Sequence, residues 1–87
     1  MADVNGNAVV VLVVEDEALV RLLANDILTE AGYNVLEAHD GQEALPVLEV
    51  HDNVRAVFTD VNMPNMDGLS LTKIVAHRWP HIGIGGR

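Results

Sequence analysis

The stretch of sequence that decides the fold is AVFTDVNMPNMDG, residues 56–68. It opens with four residues rich in β-branched and aromatic side chains, which is typical of a buried strand. The run ends on a carboxylate, Asp60, and the following segment holds too much Asn, Pro and Gly to continue a strand or a helix. Open α/β sheets place their ligands at the carboxyl ends of buried strands. We therefore expect Asp60 to carry the chemistry of this protein.

Outward from this stretch, the chain alternates between strand patterns and helix patterns. Residues 9–14 are a continuous β-branched run, which indicates a strand covered on both faces. The remaining predicted elements are a helix over 18–31, a strand over 33–38, a helix that begins after Asp40, a strand over 56–60, a helix over 68–78 and a strand stub over 82–84. Such alternation predicts a parallel sheet with right-handed crossovers and helices on both faces.

Several residues predict where the helices begin and end. Asp16 is the expected N-cap of the first helix, and Gly32 its left-handed stop. Asp40 and Glu43 have the spacing of a capping box at the start of the second helix. Pro46 lies beyond the first turn of that helix, so it should kink the helix or delay its start.

Length and composition limit the function. The 87 residues allow one small domain, with a polar, frayed terminus over 1–7 and a short tail over 85–87. A formal net charge of −8 argues against nucleic acid and favours a basic partner surface or a bound cation. The chain has no cysteine, and its longest apolar run, residues 8–14, is too short to span a bilayer. We therefore expect a cytoplasmic protein without membrane contact.

Acidic residues follow two of the predicted strands. Glu15 and Asp16 end the first strand and Asp60 ends the third, and we expect the carboxyl ends of these strands to be neighbours. Two carboxylates 4 Å apart repel by roughly 4 kcal/mol at an effective dielectric constant of about 20. Either one acid takes a proton or a hard divalent cation binds. Oxygen ligands, with a backbone carbonyl available near Asn62, suit Mg²⁺ or Mn²⁺ better than zinc. The alternative is that the acids are solvated and never meet.

Taken together, these motifs resemble the receiver domain of two-component response regulators, the chemotaxis-type phosphoacceptor fold. The similar residues are VLVVEDE (11–17), Gly32-Tyr33, AHDGQEAL (38–45) and TDVNMPNMDG (59–68). The resemblance implies a flavodoxin-like, three-layer α/β sandwich with strand order two-one-three, with or without a fourth strand.

The resemblance also implies a function. Asp60 would accept a phosphoryl group from a sensor histidine kinase or a phosphotransfer protein. Glu15, Asp16, Asp60 and the backbone carbonyl of Asn62 would hold Mg²⁺ or Mn²⁺. A receiver of this kind is a phosphoprotein of a signalling relay and not an enzyme.

The chain departs from the family at its C-terminal end. The family's fold continues through further strands and helices that carry a functional Ser or Thr and a Lys, and this chain has no Ser or Thr after Thr72. Its one lysine, Lys73, belongs to the third helix. We expect a receiver truncated after the fourth strand, with impaired phosphorylation. The third strand would lie at or near an edge, which favours self-association as a homodimer. The alternative function is a non-switching interaction or dimerisation module on a receiver scaffold.

Other motifs are weaker. Residues 60–68 do not fit a calcium loop, because Pro64 and Asn65 stand where that pattern needs an acid or Asn and then Gly. Ala18 replaces the second acid that aspartate-nucleophile phosphatases require. The four histidines have no metal-ligand spacing, and Asp67 fits a helix N-cap better than a ligand.

Overall fold

The described residues form a parallel sheet of four strands together with three helices. The computed structural model describes residues 9–59 and 68–86, with side chains for 9–59 and 70–85. The elements are β1 (Val10–Val14), α1 (Ala18–Glu30), β2 (Asn34–Ala38), α2 (Gly41–Val50), β3 (Val54–Thr59), α3 (Gly68–Arg78) and β4 (Gly83–Gly86). No helix among these residues combines the length and the apolar character that crossing a membrane requires.

The strand order is β2-β1-β3-β4, and all three pairings are parallel. The predicted fold class and the neighbouring positions of strands one and three are therefore confirmed. The third strand lies next to the edge and not at it, because residues 56–59 of β3 pair with β4, the fourth strand that the prediction left open. Within the described residues, β2 and β4 are the edge strands.

One face of the sheet carries most of the core. Leu12 and Val57 lie side by side on β1 and β3, and Leu48 of α2 with Leu71 and Val75 of α3 covers them. All five are almost fully buried. Burying a Leu or Val side chain contributes about 1.5–3 kcal/mol, so this face supplies much of the stability. Leu71 and Val75 therefore form the inner face of α3.

Helix α1 lies on the opposite face, against β1 and β2. The backbone pairing sets Glu37 of β2 beside Val13 of β1. Arg21 and Asn25 of α1 both reach the carboxylate of Glu37. Helix α1 therefore covers the β2 side of this face, which places helices on both faces as predicted.

The helix ends were predicted with mixed success. Gly32 has a φ of 102°, so the left-handed stop after α1 is confirmed. Asp40 caps α2 by accepting the backbone N–H of Glu43 at 2.8 Å. The prediction of Asp16 as the N-cap of α1 is wrong, because Glu17 takes that position without a side-chain cap bond. Pro46 does not delay α2, which begins at Gly41 with Pro46 inside it.

Some boundaries differ from the prediction and others lie outside the described residues. Strand β3 begins at Val54, two residues before the predicted start, and β4 covers Gly83–Gly86 instead of 82–84. Helix α3 has the predicted bounds. The frayed terminus over 1–7, the Asp67 cap and the end of the third strand at Asp60 fall on residues that the structure does not describe.

Candidate functional site

The candidate site lies at the carboxyl ends of β1 and β3. Val14, the last residue of β1, pairs with Thr59, the last residue of β3. Both strands run in the same direction, so they leave the sheet at the same edge, with neighbouring strands about 4.8 Å apart. Glu15 and Asp16 follow Val14 in the chain, and Asp60 follows Thr59. This is the edge at which parallel sheets bind their ligands.

Glu15 is the more tightly held of the two acids after β1. It is only 4% exposed, and its backbone N–H donates to the carbonyl oxygen of Ala38 at 3.0 Å. Its Oε2 accepts the backbone N–H of Glu17 at 3.2 Å. A buried carboxylate requires polar partners of this kind, since an unpaired one is costly. The Glu15 carboxylate is thus fixed in place at the end of β1.

Asp16 is exposed, and it stands between β1 and α1. It is free of the capping role that the sequence predicted for it, since Glu17 takes the N-cap position. Two of the four predicted metal ligands, Glu15 and Asp16, are therefore consecutive residues at this edge, and Asp60 and Asn62 lie outside the described residues. Within residues 9–59 and 68–86, no three His, Asp or Glu side chains are grouped closely enough to hold a metal ion.

The chemistry of the described donors fits a hard divalent cation. Glu15 and Asp16 offer carboxylate oxygens, and the chain has no thiolate that could favour zinc. Mg²⁺ in proteins is commonly held by one or two carboxylates together with water and a phosphate oxygen. The buried Glu15 and the exposed Asp16 supply two carboxylates next to each other in the chain, as such a Mg²⁺ site requires.

The sequence reasoning missed Arg21 as a neighbour of the site. Its Nη1 donates to the backbone carbonyl of Glu15 at 2.7 Å, and its Nε lies 3.4 Å from Oε1 of Glu37. The guanidinium therefore braces the main chain just before Asp16. Arg21 lies about one turn into α1. A helix that packs against the strand before it brings its first turn near the end of that strand, so the position of Arg21 in the sequence was a weak indication of this contact.

A second polar group lies at the end of β2. The N–H of His39 donates to Oε1 of Glu43 at 2.7 Å, and its ring Nδ1 lies 2.9 Å from the same oxygen. The His39 backbone N–H, and then its ring, hold the pKa of Glu43 below the ordinary value. The ring Nε2 also lies 3.4 Å from Oδ2 of Asp40. These contacts hold the exposed His39 ring against the start of α2.

Comparisons with known proteins point to one family. The sequence model of the response regulator receiver domain matches residues 11–85. A protein-glutamate methylesterase/protein-glutamine glutaminase of Archaeoglobus fulgidus is 44% identical over 72 residues, which are 80% of this chain and 20% of that protein. A chemotaxis protein CheY homolog of Campylobacter jejuni is 43% identical over 65 residues, 74% of this chain and 50% of that protein. The chain thus spans half or less of the length of these relatives.

Solved structures agree with the sequence matches. The chemotaxis protein CheY4 of Vibrio cholerae superposes with a TM-score of 0.85 and 32% identity, over 91% of this chain and 67% of that one. The response regulator TrrA of Thermotoga maritima, solved in complex with Mg²⁺ and BeF, superposes with a TM-score of 0.83 and 32% identity, over 87% of this chain and 65% of that one. Both matches extend over most of this chain, so the fold described above is also that of these two proteins.

Proposed function

This chain belongs to the response regulator receiver domain family, and on that premise we propose that Asp60 accepts a phosphoryl group with the help of a bound Mg²⁺ or Mn²⁺. The family match over residues 11–85 shows the family membership and confirms the predicted receiver fold. The pairing of Val14 with Thr59 supports the proposed site, since it brings the chain segments that lead into Glu15 and Asp60 to the same edge of the sheet.

Each residue has a proposed role. Glu15, Asp16, Asp60 and the backbone carbonyl of Asn62 hold the cation, whose positive charge would offset the repulsion between an anionic carboxylate and an anionic phosphoryl group. A carboxylate oxygen of Asp60 forms the new bond to phosphorus as the bond from phosphorus to the donor breaks. The contacts that Glu15 makes with the backbone of Glu17 and Ala38 keep its carboxylate oriented for this purpose.

The donor is proposed to be a sensor histidine kinase or a phosphotransfer protein. Two relatives support this: the receiver sequence matches part of the sensor histidine kinase RcsC of Escherichia coli, 46% identical over 63 residues, and part of the autoinducer sensor kinase/phosphatase CqsS of Vibrio cholerae, 35% identical over 79 residues. In such proteins receiver and kinase share one polypeptide. We place this relay in the cytoplasm, and we propose that the chain itself turns over no substrate as an enzyme.

Acetyl phosphate with and without Mg²⁺ tests the proposal. Intact-mass analysis of the native chain should show one added phosphoryl group, which depends on the metal and disappears in Asp60→Asn. Asp67→Asn, seven residues further along the chain, is the matched control and should keep the adduct. The proposal is wrong if the native chain gains no phosphoryl group with Mg²⁺, or if Asp60→Asn gains it equally well.

Two further properties belong to this proposal. The 87 residues lack a Ser or Thr after Thr72 and have only Lys73 as a lysine, so the adduct should form more slowly than in a receiver that has both partners. We also propose that the chain forms a homodimer through β4, the edge strand beside β3 in the described sheet. An edge strand presents unpaired N–H and C=O groups that a second copy could pair with. A chain that stays monomeric by light scattering at high micromolar concentration would exclude the dimer and leave phosphorylation untouched.

A further inference from the structure

Arg21 is held between the acidic turn after β1 and the edge strand β2. Its Nη1 donates to the carbonyl oxygen of Glu15 at 2.7 Å, and its Nε lies 3.4 Å from Oε1 of Glu37. A guanidinium presents its N–H donors in one rigid plane, so a side chain that uses two of them at once has a defined orientation. The side chain of Arg21 is only 22% exposed. Arg21 therefore fixes the end of β1 relative to β2.

The carboxylate that orients Arg21 is itself held by α1. The second oxygen of Glu37, Oε2, accepts from Nδ2 of Asn25, one turn after Arg21. Oδ1 of Asn25 accepts in turn from the hydroxyl of Thr29 at 3.0 Å. A series of hydrogen-bonded side chains whose members have partners is more rigid than any single pair in it. The direction of the Arg21 guanidinium is thus determined by more than one contact.

The turn from Glu15 to Glu17 is bonded at several further points. The backbone N–H of Glu15 donates to the carbonyl of Ala38 at 3.0 Å, and Oε2 of Glu15 accepts the N–H of Glu17 at 3.2 Å. The backbone N–H of Arg21 donates to the carbonyl of Glu17 at 2.9 Å. The carbonyl that the Arg21 side chain holds belongs to the planar peptide between Glu15 and Asp16. The guanidinium therefore acts directly on the link between the two acids.

We propose that Arg21 is a positioning residue of the metal site, which raises the affinity for Mg²⁺ or Mn²⁺ by fixing the peptide between Glu15 and Asp16. This role rests on the proposed function, since Glu15 and Asp16 are taken as ligands of the cation. Mg²⁺ demands near-ideal octahedral geometry, so carboxylates that must first be ordered bind it more weakly. Arg21 does not itself touch the cation, because a guanidinium has no acceptor atom.

A role through charge alone predicts the opposite sign. A guanidinium near two carboxylates repels a bound cation, so its removal would then strengthen metal binding. A role in orientation predicts that its removal weakens metal binding. The direction of the change in Kd therefore separates the two roles.

Titration of the full 87-residue chain with Mn²⁺, with the free metal followed by electron paramagnetic resonance, tests the proposal. We expect Arg21→Gln to raise the Kd for Mn²⁺ about tenfold, the lower end of the range for residues that orient metal ligands. Arg21→Lys keeps the charge but lacks the planar fork, so it should raise the Kd roughly threefold or more. Arg78→Gln is the matched control, since it removes the guanidinium of the exposed pair with Glu49, and it should leave the Kd unchanged.

Two further measurements distinguish positioning from a general loss of structure. Amide hydrogen exchange of Glu17 in the metal-free chain reports the order of the turn, because this N–H donates to the Glu15 carboxylate. Its exchange should be faster in Arg21→Gln than in the native chain and unchanged in Arg78→Gln. Glu37→Ala should raise the Kd for Mn²⁺ in the native chain but much less in Arg21→Gln, because Glu37 acts through Arg21. Circular dichroism checks that each variant is folded.

The proposal is overturned if Arg21→Gln binds Mn²⁺ as tightly as the native chain or more tightly, or if Arg78→Gln weakens binding equally. If Arg21→Gln does not fold, Arg21→Lys decides by the same criterion. A native chain that binds Mn²⁺ and gains a phosphoryl group, with both Arg21 variants binding Mn²⁺ as it does, overturns the role of Arg21 alone. A native chain that binds no metal overturns this role and the proposed function together.

Discussion

Truncation of leucines on α1 and α2 measures whether Leu19 and Leu23 of α1 are exposed in solution. Leu48 of α2 is 1% exposed, whereas Leu19 and Leu23 of α1 are 81% and 59% exposed. All three lie inside helices, so Leu→Ala changes helix propensity by the same small amount. Differences in the loss of stability therefore report burial alone.

The structure sets the expected magnitudes. Leu48→Ala removes a fully packed side chain and leaves a cavity, which costs about 2–5 kcal/mol. Full burial of a leucine is worth about 1.5–3 kcal/mol, and Leu19 has only about a fifth of that burial, so Leu19→Ala should cost about 0.5 kcal/mol or less. Leu23→Ala should cost about 1 kcal/mol by the same reasoning.

Urea unfolding followed by circular dichroism at two protein concentrations is the assay. If Leu48→Ala leaves too little folded protein, the milder Leu48→Met replaces it, with a cost below about 1.5 kcal/mol. The reasoning is refuted if Leu19→Ala destabilises the chain as much as Leu48→Ala does. A loss of unfolding free energy for Leu19→Ala that grows with protein concentration would mean that a second copy of the chain covers Leu19.

Three further changes test local features of the fold, all measured as free energies of unfolding. Asp40→Ala removes the acceptor of the Glu43 N–H, so it should cost about 1 kcal/mol, while exposed Asp52→Ala should cost nothing measurable; equal costs would contradict the cap. Gly32→Ala should cost roughly 1–2 kcal/mol from backbone conformation alone, since φ is 102° and no atom lies within 4 Å of the added Cβ; an unchanged stability would contradict this. Glu43 has a lowered pKa in the fold, so its carboxylate contributes stability that is fully present above the unfolded pKa and is lost as pH falls through the folded pKa. Glu43→Gln should therefore be less stable than the native chain at pH 7, and this deficit should shrink as the pH falls through the folded pKa; a deficit of constant size over the whole acid range would be the contrary result.

Local signals in the sequence predicted what depends on neighbours in the chain. The β-branched run over 9–14 became β1, the bounds of α3 were correct, and Asp40 and Gly32 take their predicted places at helix ends. Each of these features follows from side-chain type, backbone freedom or a hydrogen bond across three residues. Such forces act within one turn or one strand, so the sequence displays them directly.

Contacts between distant segments were harder to predict. The brace from Arg21 to the carbonyl of Glu15 depends on how α1 packs on β1, and no spacing rule specifies that angle. Glu17 and not Asp16 is the N-cap, because α1 begins at Ala18 after the turn that follows β1. The pairing of β4 with β3 decided that β3 lies near the edge of the described sheet and not at it.

By itself the sequence indicated the fold class, because alternating strand and helix patterns predict a parallel sheet with right-handed crossovers. The strand order two-one-three came from the resemblance to the receiver family, and the acids after the first and third strands are visible in the sequence. Only the tertiary structure decided how far the apolar residues of α1 are covered, and none of them is fully buried. The helical spacing of Leu19, Leu23 and Ile27 predicts a helix with an apolar face, but burial depends on what packs against that face. In the part of the chain that the structure describes, α1 packs mainly against β1 and β2, and Leu19, Leu23 and Ile27 remain more than half exposed.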